Sequence, residues 1–373
     1  MVKRSDSHFY SERVRVDEAR AAAADWVQRH QAGEPGFRGA YFAGSIVELA
    51  DDALLPATSD VDVVVVLAGT DTPPKLGKLQ HRGVLLEVTQ LPEAQLADAE
   101  AVAGTFFLAP SFRTDQVISD PTGLLRRLLV RISSRFAEPG QIRLRCDDVL
   151  RRMAATLASL GTAQPWPEQV TSCLFGVSLP TLVVLVAAQR NPTVRLRYLR
   201  ARSVLQEQGR LDFYEALLAA LGCAEASPVQ VQRHLDRLAV TFDRAASVGV
   251  TSFFFSNDIT PLSRPIAIAG TQELIDAGDH REAVFWLLAT FSRCQQILRV
   301  DAPELAEEHA ADFDAAVAEL LGCRTAADLR GRADEARALL PELHRVAAGI
   351  VGPGESGEAM MGTRGGPETE ETS

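Results

Sequence analysis

The hydrophobic and polar positions divide the chain into two parts with different periodicity. Up to about residue 125, a helix at 17–31 is followed by apolar, often β-branched runs at 36–44, 60–68, 83–91 and 115–123. Short runs bounded by Gly, Pro and Asp are typical of strands, and a further helix is expected between residues 93 and 102. From about residue 124 onward, apolar positions recur every three or four residues, which predicts helices to about residue 350.

The predicted fold class is therefore α+β. A small mixed β-sheet domain over residues 1–125 precedes an all-α helical domain over residues 126–350, and residues 351–373 predict a disordered acidic tail because they hold few apolar residues. The longest apolar stretch, residues 173–188, is shorter than the roughly 20 residues of a membrane span and contains Pro180. It predicts a buried helix, and no membrane partner is expected.

Composition narrows the choice of partner and compartment. The net charge of −11 disfavours a long nucleic-acid partner, because such proteins usually carry a basic excess. The five cysteines are widely spaced without a C-x-x-C pair, which favours reduced thiols and a cytoplasmic location over disulfides or a zinc knuckle. No apolar run follows the basic residues of the N-terminus, so no signal peptide is expected.

Two acids at the start of a valine-rich strand are the main chemical signal. Asp60 and Asp62 project to one face by strand alternation. A third acid, Glu87, lies inside the apolar run of the next predicted strand, residues 83–91. If the two strands are neighbours, the three carboxylates cluster, and two unit charges 4 Å apart repel by about 4 kcal/mol at an effective dielectric of 20. Mg²⁺ is the natural counter-ion, since it prefers carboxylate oxygens and binds with substrate phosphates.

Gly44 and Ser45 lie upstream of these acids and suggest a phosphate-binding turn. Glycine lets a phosphate approach the backbone, a serine hydroxyl donates, and the short helix expected at 46–52 would present N–H groups. A phosphate-binding turn followed by paired acids on a strand indicates chemistry on a nucleoside triphosphate. The Asp-x-Asp pattern alone is common, and its non-functional interpretation is a solvent-exposed strand end after a turn.

The pattern GS…SDVDVVVVL…LLEV resembles the signature of the polymerase-beta-type nucleotidyltransferase superfamily. The segment LLEVTQL, the exit SDPTG and the long helical half are most similar to the aminoglycoside adenylyltransferases. The motif portion covers residues 38–123, with a small insertion around residues 50–57. The resemblance implies transfer of a nucleoside monophosphate, usually AMP from ATP, to a hydroxyl of a small acceptor with release of pyrophosphate. It implies that Asp60 and Asp62 hold Mg²⁺, and that Glu87 binds a second metal or deprotonates the acceptor.

Several basic residues admit a functional and a structural interpretation. Arg195, Tyr198 and Arg202 share one helical face by spacing, and Arg195 and Tyr198 are candidate nucleotide contacts, although a solvated face is as good an interpretation. Three cations between the two acidic strands are interpreted as a solvated loop, with phosphate contact as the alternative: Lys75, Lys78 and Arg82.

Other features have simpler explanations or leave alternatives open. Asp279 and Glu282 are spaced as a helix capping box, which makes His280 a surface residue rather than a base. Two rival functions remain: a nucleotidyltransferase that acts on a sugar phosphate or a protein, and a catalytically silent nucleotide-binding protein of the same fold.

Overall fold

The computed structural model describes residues 14–71, 75–160 and 164–352. Five strands are present in this part of the chain: β1 (Phe37–Ala43), β2 (Val61–Leu67), β3 (Gly77–His81), β4 (Val84–Pro92) and β5 (Val117–Ser119). The first helices are α1 (Val16–His30), α2 (Ala99–Ala103), α3 (Leu124–Ser133) and α4 (Pro139–Ala158). They are followed by α5 (Trp166–Ala187), α6 (Arg197–Glu207), α7 (Leu211–Leu221), α8 (Pro228–Val248) and α9 (Gly270–Asp276). The last are α10 (His280–Asp301), α11 (Pro303–Leu320), α12 (Ala326–Ala338) and α13 (Leu340–Val351).

The strands form one mixed sheet in the order β3-β4-β2-β1-β5. β2 and β4 are parallel, and the other pairs are antiparallel. The connection from β2 to its parallel neighbour runs through β3, which lies at the edge of the sheet. The α+β class predicted from the sequence is confirmed.

Helices cover both faces of the sheet. The valines at 61, 63 and 65 alternate toward α1, where they are fully buried against residues such as Ala19 and Trp26. The opposite face packs on α2 and α3 through Tyr41, Val66 and Leu125. Near the starts of β2 and β4 this second face carries the half-buried polar side chains of Asp62 and Glu87.

The helical part has a core of its own built around two long buried helices. α5 and α10 are buried along most of their length, and the remaining helices from α4 to α13 surround them. Among the described residues, α5 is long and apolar enough to span a membrane, and 83% of its most apolar window is buried inside the protein. Such burial is that of a core helix and is consistent with a soluble protein, as the sequence predicted.

Three details differ from the sequence-based expectation. α3 joins the core of the sheet, so packing divides the chain after Phe136 rather than at residue 125. The helix expected between 93 and 102 is a 3-10 turn at Glu93–Leu96 followed by the short α2. β3 was not predicted at all. The tail predicted at 351–373 lies, from residue 353 on, outside the described residues.

Candidate active site

Three neighbouring strands place charged side chains in one row on the sheet. Asp62 of β2 pairs in register with Glu87 of β4, and Glu87 pairs in register with Lys78 of β3. Paired residues on adjacent strands project to the same side, so the three side chains lie next to one another. The expectation that the two acidic strands are neighbours is confirmed.

Asp60 precedes β2 and completes a cluster of three carboxylates. One oxygen each from Asp60, Asp62 and Glu87 lies within 4.8 Å of the other two. The side chains of Asp60 and Glu87 are only 16% and 15% exposed. Burial, followed by the charges of Asp60 and Glu87, raises the pKa of Asp62 well above its usual value. Burial thus opposes the ionised form of Asp62, and a cation beside this carboxylate would favour that form.

Asp62 is the carboxylate that remains without a partner. Among the described residues no donor forms a hydrogen bond or an ion pair with it, although its two neighbours are both paired. Its space is made by Gly44, which has φ +64° and directly follows β1. A Cβ built on Gly44 would lie 1.7 Å from Asp62 Oδ2, so only glycine allows this carboxylate its position.

Gly44 begins a 3-10 turn that ends at Glu48, in place of the short helix expected at 46–52. The helical part holds the turn in position, because Asn191 Nδ2 donates to the Gly44 carbonyl at 2.8 Å and Glu48 accepts from the Asn191 N–H at 2.6 Å. Ser45 is exposed, with its Oγ 3.5 Å from Ser59 Oγ. The Gly-Ser pair thus lines the same cavity as the acids, and Ser45 is accessible there.

Lys78 occupies the centre of the acidic cluster. Its Nζ lies 2.9 Å from Asp60 Oδ2 and 2.6 Å from Glu87 Oε2, and Lys75 also forms an ion pair with Glu87. The Lys78 side chain is 5% exposed, so its interpretation as a solvated loop cation is wrong. Lys75 is 30% exposed, whereas Arg82 is exposed and pairs with Asp25 away from the cluster.

The lysines change the protonation of the acids. Burial alone would raise the pKa of Glu87, but Lys78 and Lys75 outweigh it and lower this pKa to about 2. Burial also opposes the charged form of Lys78, yet Asp60, Glu87 and Asp258 together raise the Lys78 pKa. In this state Glu87 is an ionised, fully paired carboxylate and a poor proton acceptor.

Two residues of the helical part extend the ion-pair network. Asp258, in the 3-10 turn Ser256–Asp258 between α8 and α9, lies 3.4 Å from Lys78 Nζ and 2.9 Å from a nitrogen of Arg293. Sequence reasoning missed both residues. Arg293 could have been found from the sequence, since it is a cation in a largely apolar segment of α10. A buried charge requires a partner, so its position indicates an acid nearby.

A cavity of about 440 Å³ opens above the cluster, between the sheet and the helices. Its sheet side includes the three acids, both lysines, Gly44 and Ser45. Its helical side includes Phe254, which is 78% exposed, and Trp286, whose buried Nε1 has no hydrogen-bond partner among the described residues. The cavity thus combines charged side chains from both parts of the protein with two aromatic side chains from the helical part.

A second cavity of about 660 Å³ adjoins the first. Four residues line both cavities and separate them: Ser45, Asn191, Thr193 and Leu196. The second cavity is lined by three arginines and two acids: Arg113, Arg190, Arg200, Glu48 and Glu207. Ser45 therefore stands between one cavity lined by equal numbers of acidic and basic side chains and another in which arginines outnumber acids.

The three residues predicted to share one helical face, Arg195, Tyr198 and Arg202, have different surroundings in the structure. Arg195 lines the first cavity, but its guanidinium already donates to the carbonyls of Gly270 and Thr58. Tyr198 is 1% exposed in the helical core and does not line either cavity, so its expectation as a nucleotide contact is corrected. Arg202 is bound by acids of α10 and its N-terminus, away from the cluster.

The capping box predicted at the start of α10 is wrong. Asp279 makes no cap hydrogen bond, and Glu282 is buried with its Oε1 bound by Arg202 at 2.7 Å and by the Tyr214 hydroxyl at 2.5 Å. The acids hold α6 and α7 against α10. The ring nitrogens of the half-buried His280 lie within 3.2 Å of backbone carbonyl oxygens, so no catalytic arrangement forms there.

Comparison with known proteins adds no assignment. No family model matches the chain, and no curated protein matches its sequence. The functional argument therefore depends on the geometry of the site and on the resemblance of its motifs.

Proposed function

We propose that the chain is a Mg²⁺-dependent nucleotidyltransferase. It would transfer a nucleoside monophosphate, AMP from ATP in the simplest case, to a hydroxyl group of a small molecule and release pyrophosphate. The observation that carries the proposal is the convergence of Asp60, Asp62 and Glu87 within 4.8 Å, next to the Gly44-Ser45 turn. Carboxylates near a phosphate-binding turn are the combination expected for Mg²⁺ held together with a triphosphate.

The residues present fit a divalent metal. All three donors are carboxylates, the ligands that Mg²⁺ prefers, and Asp62 lacks any other partner among the described residues. Gly44 leaves Asp62 the space to point into the cluster. When bound, Mg²⁺ would neutralise phosphate charge and lower the pKa of a bound hydroxyl. Asp60, Asp62 and Glu87 would hold it.

The roles of the protein groups follow from their positions. Ser45 can donate to a phosphate oxygen while the triphosphate extends toward the compartment of Arg113, Arg190 and Arg200. In the reaction the oxygen of the acceptor hydroxyl bonds to the α-phosphorus, and its proton passes to water or to the departing pyrophosphate. The bond between the α-phosphorus and the oxygen that bridges the α- and β-phosphates breaks, and pyrophosphate leaves with that oxygen. Because Lys78 and Lys75 lower the pKa of Glu87 in the metal-free state, Glu87 is ionised there and available as a ligand, and a role as the base that deprotonates the acceptor stays the alternative.

The first cavity offers a site for the acceptor. Phe254 and Trp286 supply aromatic surface, and the net charge of −11 favours a cationic hydroxylated molecule. An aminoglycoside-like or other natural-product acceptor fits this description and agrees with the resemblance of the motifs. We place the protein in the cytoplasm, because its five cysteines are unpaired and buried. Nucleic acid and membrane are not expected partners.

Pyrophosphate release tests the proposal. The full chain is incubated with ATP, Mg²⁺ and a panel of hydroxylated acceptors, and wild type is compared with Asp62→Asn. Asp147→Asn, an exposed acid on α4 outside both cavities, is the matched control for the change of charge. Activity in wild type and Asp147→Asn, with loss in Asp62→Asn, is expected. Equal activity in all three would remove the acids from the mechanism.

One observation favours the silent nucleotide-binding protein. Lys78 and Lys75 already compensate two of the three acids without a metal. Calorimetry distinguishes the two functions, because a silent protein would bind ATP with the same affinity in the presence and absence of Mg²⁺ and would release no pyrophosphate. The unpaired Asp62 supports the enzyme.

A further inference from the structure

Lys78 is surrounded by carboxylates in the way a bound metal ion would be. Its Nζ lies within 3.4 Å of oxygens from Asp60, Glu87 and Asp258, and the side chain is 5% exposed. Two of these carboxylates belong to the cluster that would hold the metal. A divalent cation and the Lys78 ammonium therefore require the same oxygens.

The choice of lysine at this position is unusual for the chain. Of its 38 basic residues only three are lysines, namely Lys3, Lys75 and Lys78, and two of the three contact the cluster. An ammonium is a compact point charge with three rotatable donors, whereas a guanidinium is planar and wider. Only the ammonium can take the place of a small metal ion among converging carboxylates.

We propose that Lys78 is an internal counter-cation that occupies the metal position in the metal-free protein and is displaced when the divalent ion binds. This inference rests on the metal site of the proposed function. Lys78 stabilises the clustered acids until the metal arrives, and it sets the metal concentration that the site requires.

Asp258 provides the place to which Lys78 withdraws. It belongs to the helical part, it is fixed by Arg293 at 2.9 Å, and it already contacts Lys78 at 3.4 Å. The turn that carries Asp258 is fixed close to β3, because a Cβ on Gly77 would lie 2.0 Å from Asn257 Cγ. When the metal takes Asp60 and Glu87, the ammonium retains one carboxylate and stays beside the cavity.

Mn²⁺ binding to the full chain, followed by electron paramagnetic resonance, tests the competition. Wild type, Lys78→Met and Lys75→Met are compared, with Asp62→Asn defining the signal that belongs to the cluster. Lys78→Met is expected to bind Mn²⁺ about tenfold more tightly than wild type, since it removes a buried competing charge. Lys75 is the matched control: it pairs with one carboxylate and is 30% exposed, so Lys75→Met is expected to change the affinity less.

Lysine labelling of the wild-type protein provides a measurement that needs no variant. An amine-acylating reagent with mass-spectrometric readout has three lysine targets, so each site is followed separately. Without metal Lys78 is expected to react slowest. Mn²⁺ is expected to raise the rate at Lys78 several-fold as its ammonium leaves Asp60 and Glu87, with Lys3 as the internal reference.

The outcomes separate the inference from the proposed function. Mn²⁺ bound by neither wild type nor Lys78→Met would overturn both. Mn²⁺ bound through Asp62 with equal or weaker affinity in Lys78→Met, or a labelling rate at Lys78 that Mn²⁺ leaves unchanged, would overturn the role of Lys78 alone. Tighter binding in Lys78→Met together with metal-dependent labelling would support it.

Discussion

Gly44 offers the sharpest test of how the site is built, through the single change Gly44→Ala. Its φ of +64° is one that L side chains adopt at a cost of about 1–2 kcal/mol. The added Cβ would also lie 1.7 Å from Asp62 Oδ2 and 2.5 Å from Asp62 Cγ, while real Cβ contacts stay beyond 3.0 Å. The carboxylate therefore has to move by more than 1 Å, or the turn has to shift against its hydrogen bond from Asn191.

We expect Gly44→Ala to lose about 2–3 kcal/mol of unfolding free energy, the sum of backbone strain and a local clash. It should also weaken Mn²⁺ binding by at least about tenfold, because Asp62 no longer points into the cluster. Gly83→Ala is the matched control. Gly83 has φ +78° but a Cβ added there would meet nothing within 4 Å, so the change carries only the backbone cost of about 1–2 kcal/mol.

Urea denaturation gives the unfolding free energies, and Mn²⁺ titration gives the affinities. The reasoning predicts that both variants are destabilised and that only Gly44→Ala loses metal. If Gly44→Ala binds Mn²⁺ as tightly as Gly83→Ala, the close approach of Gly44 to Asp62 does not position a ligand, and that part of the argument is wrong.

Three further predictions concern stability and packing. Arg202→Leu leaves Glu282, which is 2% exposed, with only the Tyr214 hydroxyl, and should cost about 2–4 kcal/mol in urea denaturation; a near-neutral result would contradict the pairing. Gly176→Ala places a Cβ 2.3 Å from Leu157 Cδ2 between α5 and α4 and should cost about 1–3 kcal/mol; the cost of Leu157→Ala should be smaller in that background than alone, and additive costs would exclude the clash. All five thiols are buried, so a thiol reagent should modify none in the native protein and five after unfolding; fast native labelling would show that a thiol is accessible.

The candidate acids could be predicted from the sequence because each is recognised from the residues directly around it. Strand alternation puts Asp60 and Asp62 on one face, and the apolar context marks Glu87 as anomalous, but the cluster also required the two strands to be neighbours, which the register of β2 and β4 shows. The segment of β3 holds only one large apolar residue, Leu79, so neither a strand nor a buried Lys78 could be predicted from periodicity. Its contact with Asp258 joins residues 180 positions apart.

The same limit explains the errors at the helical side. Spacing on a helix shows that Tyr198 and Arg202 share a surface, but it does not show whether that surface faces a cavity or a neighbouring helix. Tyr198 packs into the hydrophobic core, and Arg202 forms an ion pair with the buried Glu282, so neither side chain faces the first cavity. The turn at Gly44 was recognisable from the sequence, whereas ion pairs between residues far apart in the chain were not.

The position of β3 at the margin of the sheet has a consequence for how such a protein can diversify. Residue 78 lies on the outermost strand, so its replacement disturbs few apolar core neighbours, but a neutral residue there leaves the buried Asp60 and Glu87 with one cation fewer. Under the proposed function, natural selection could thereby adjust the dependence on divalent ions through one peripheral side chain, while the acids Asp60, Asp62 and Glu87 stay unchanged.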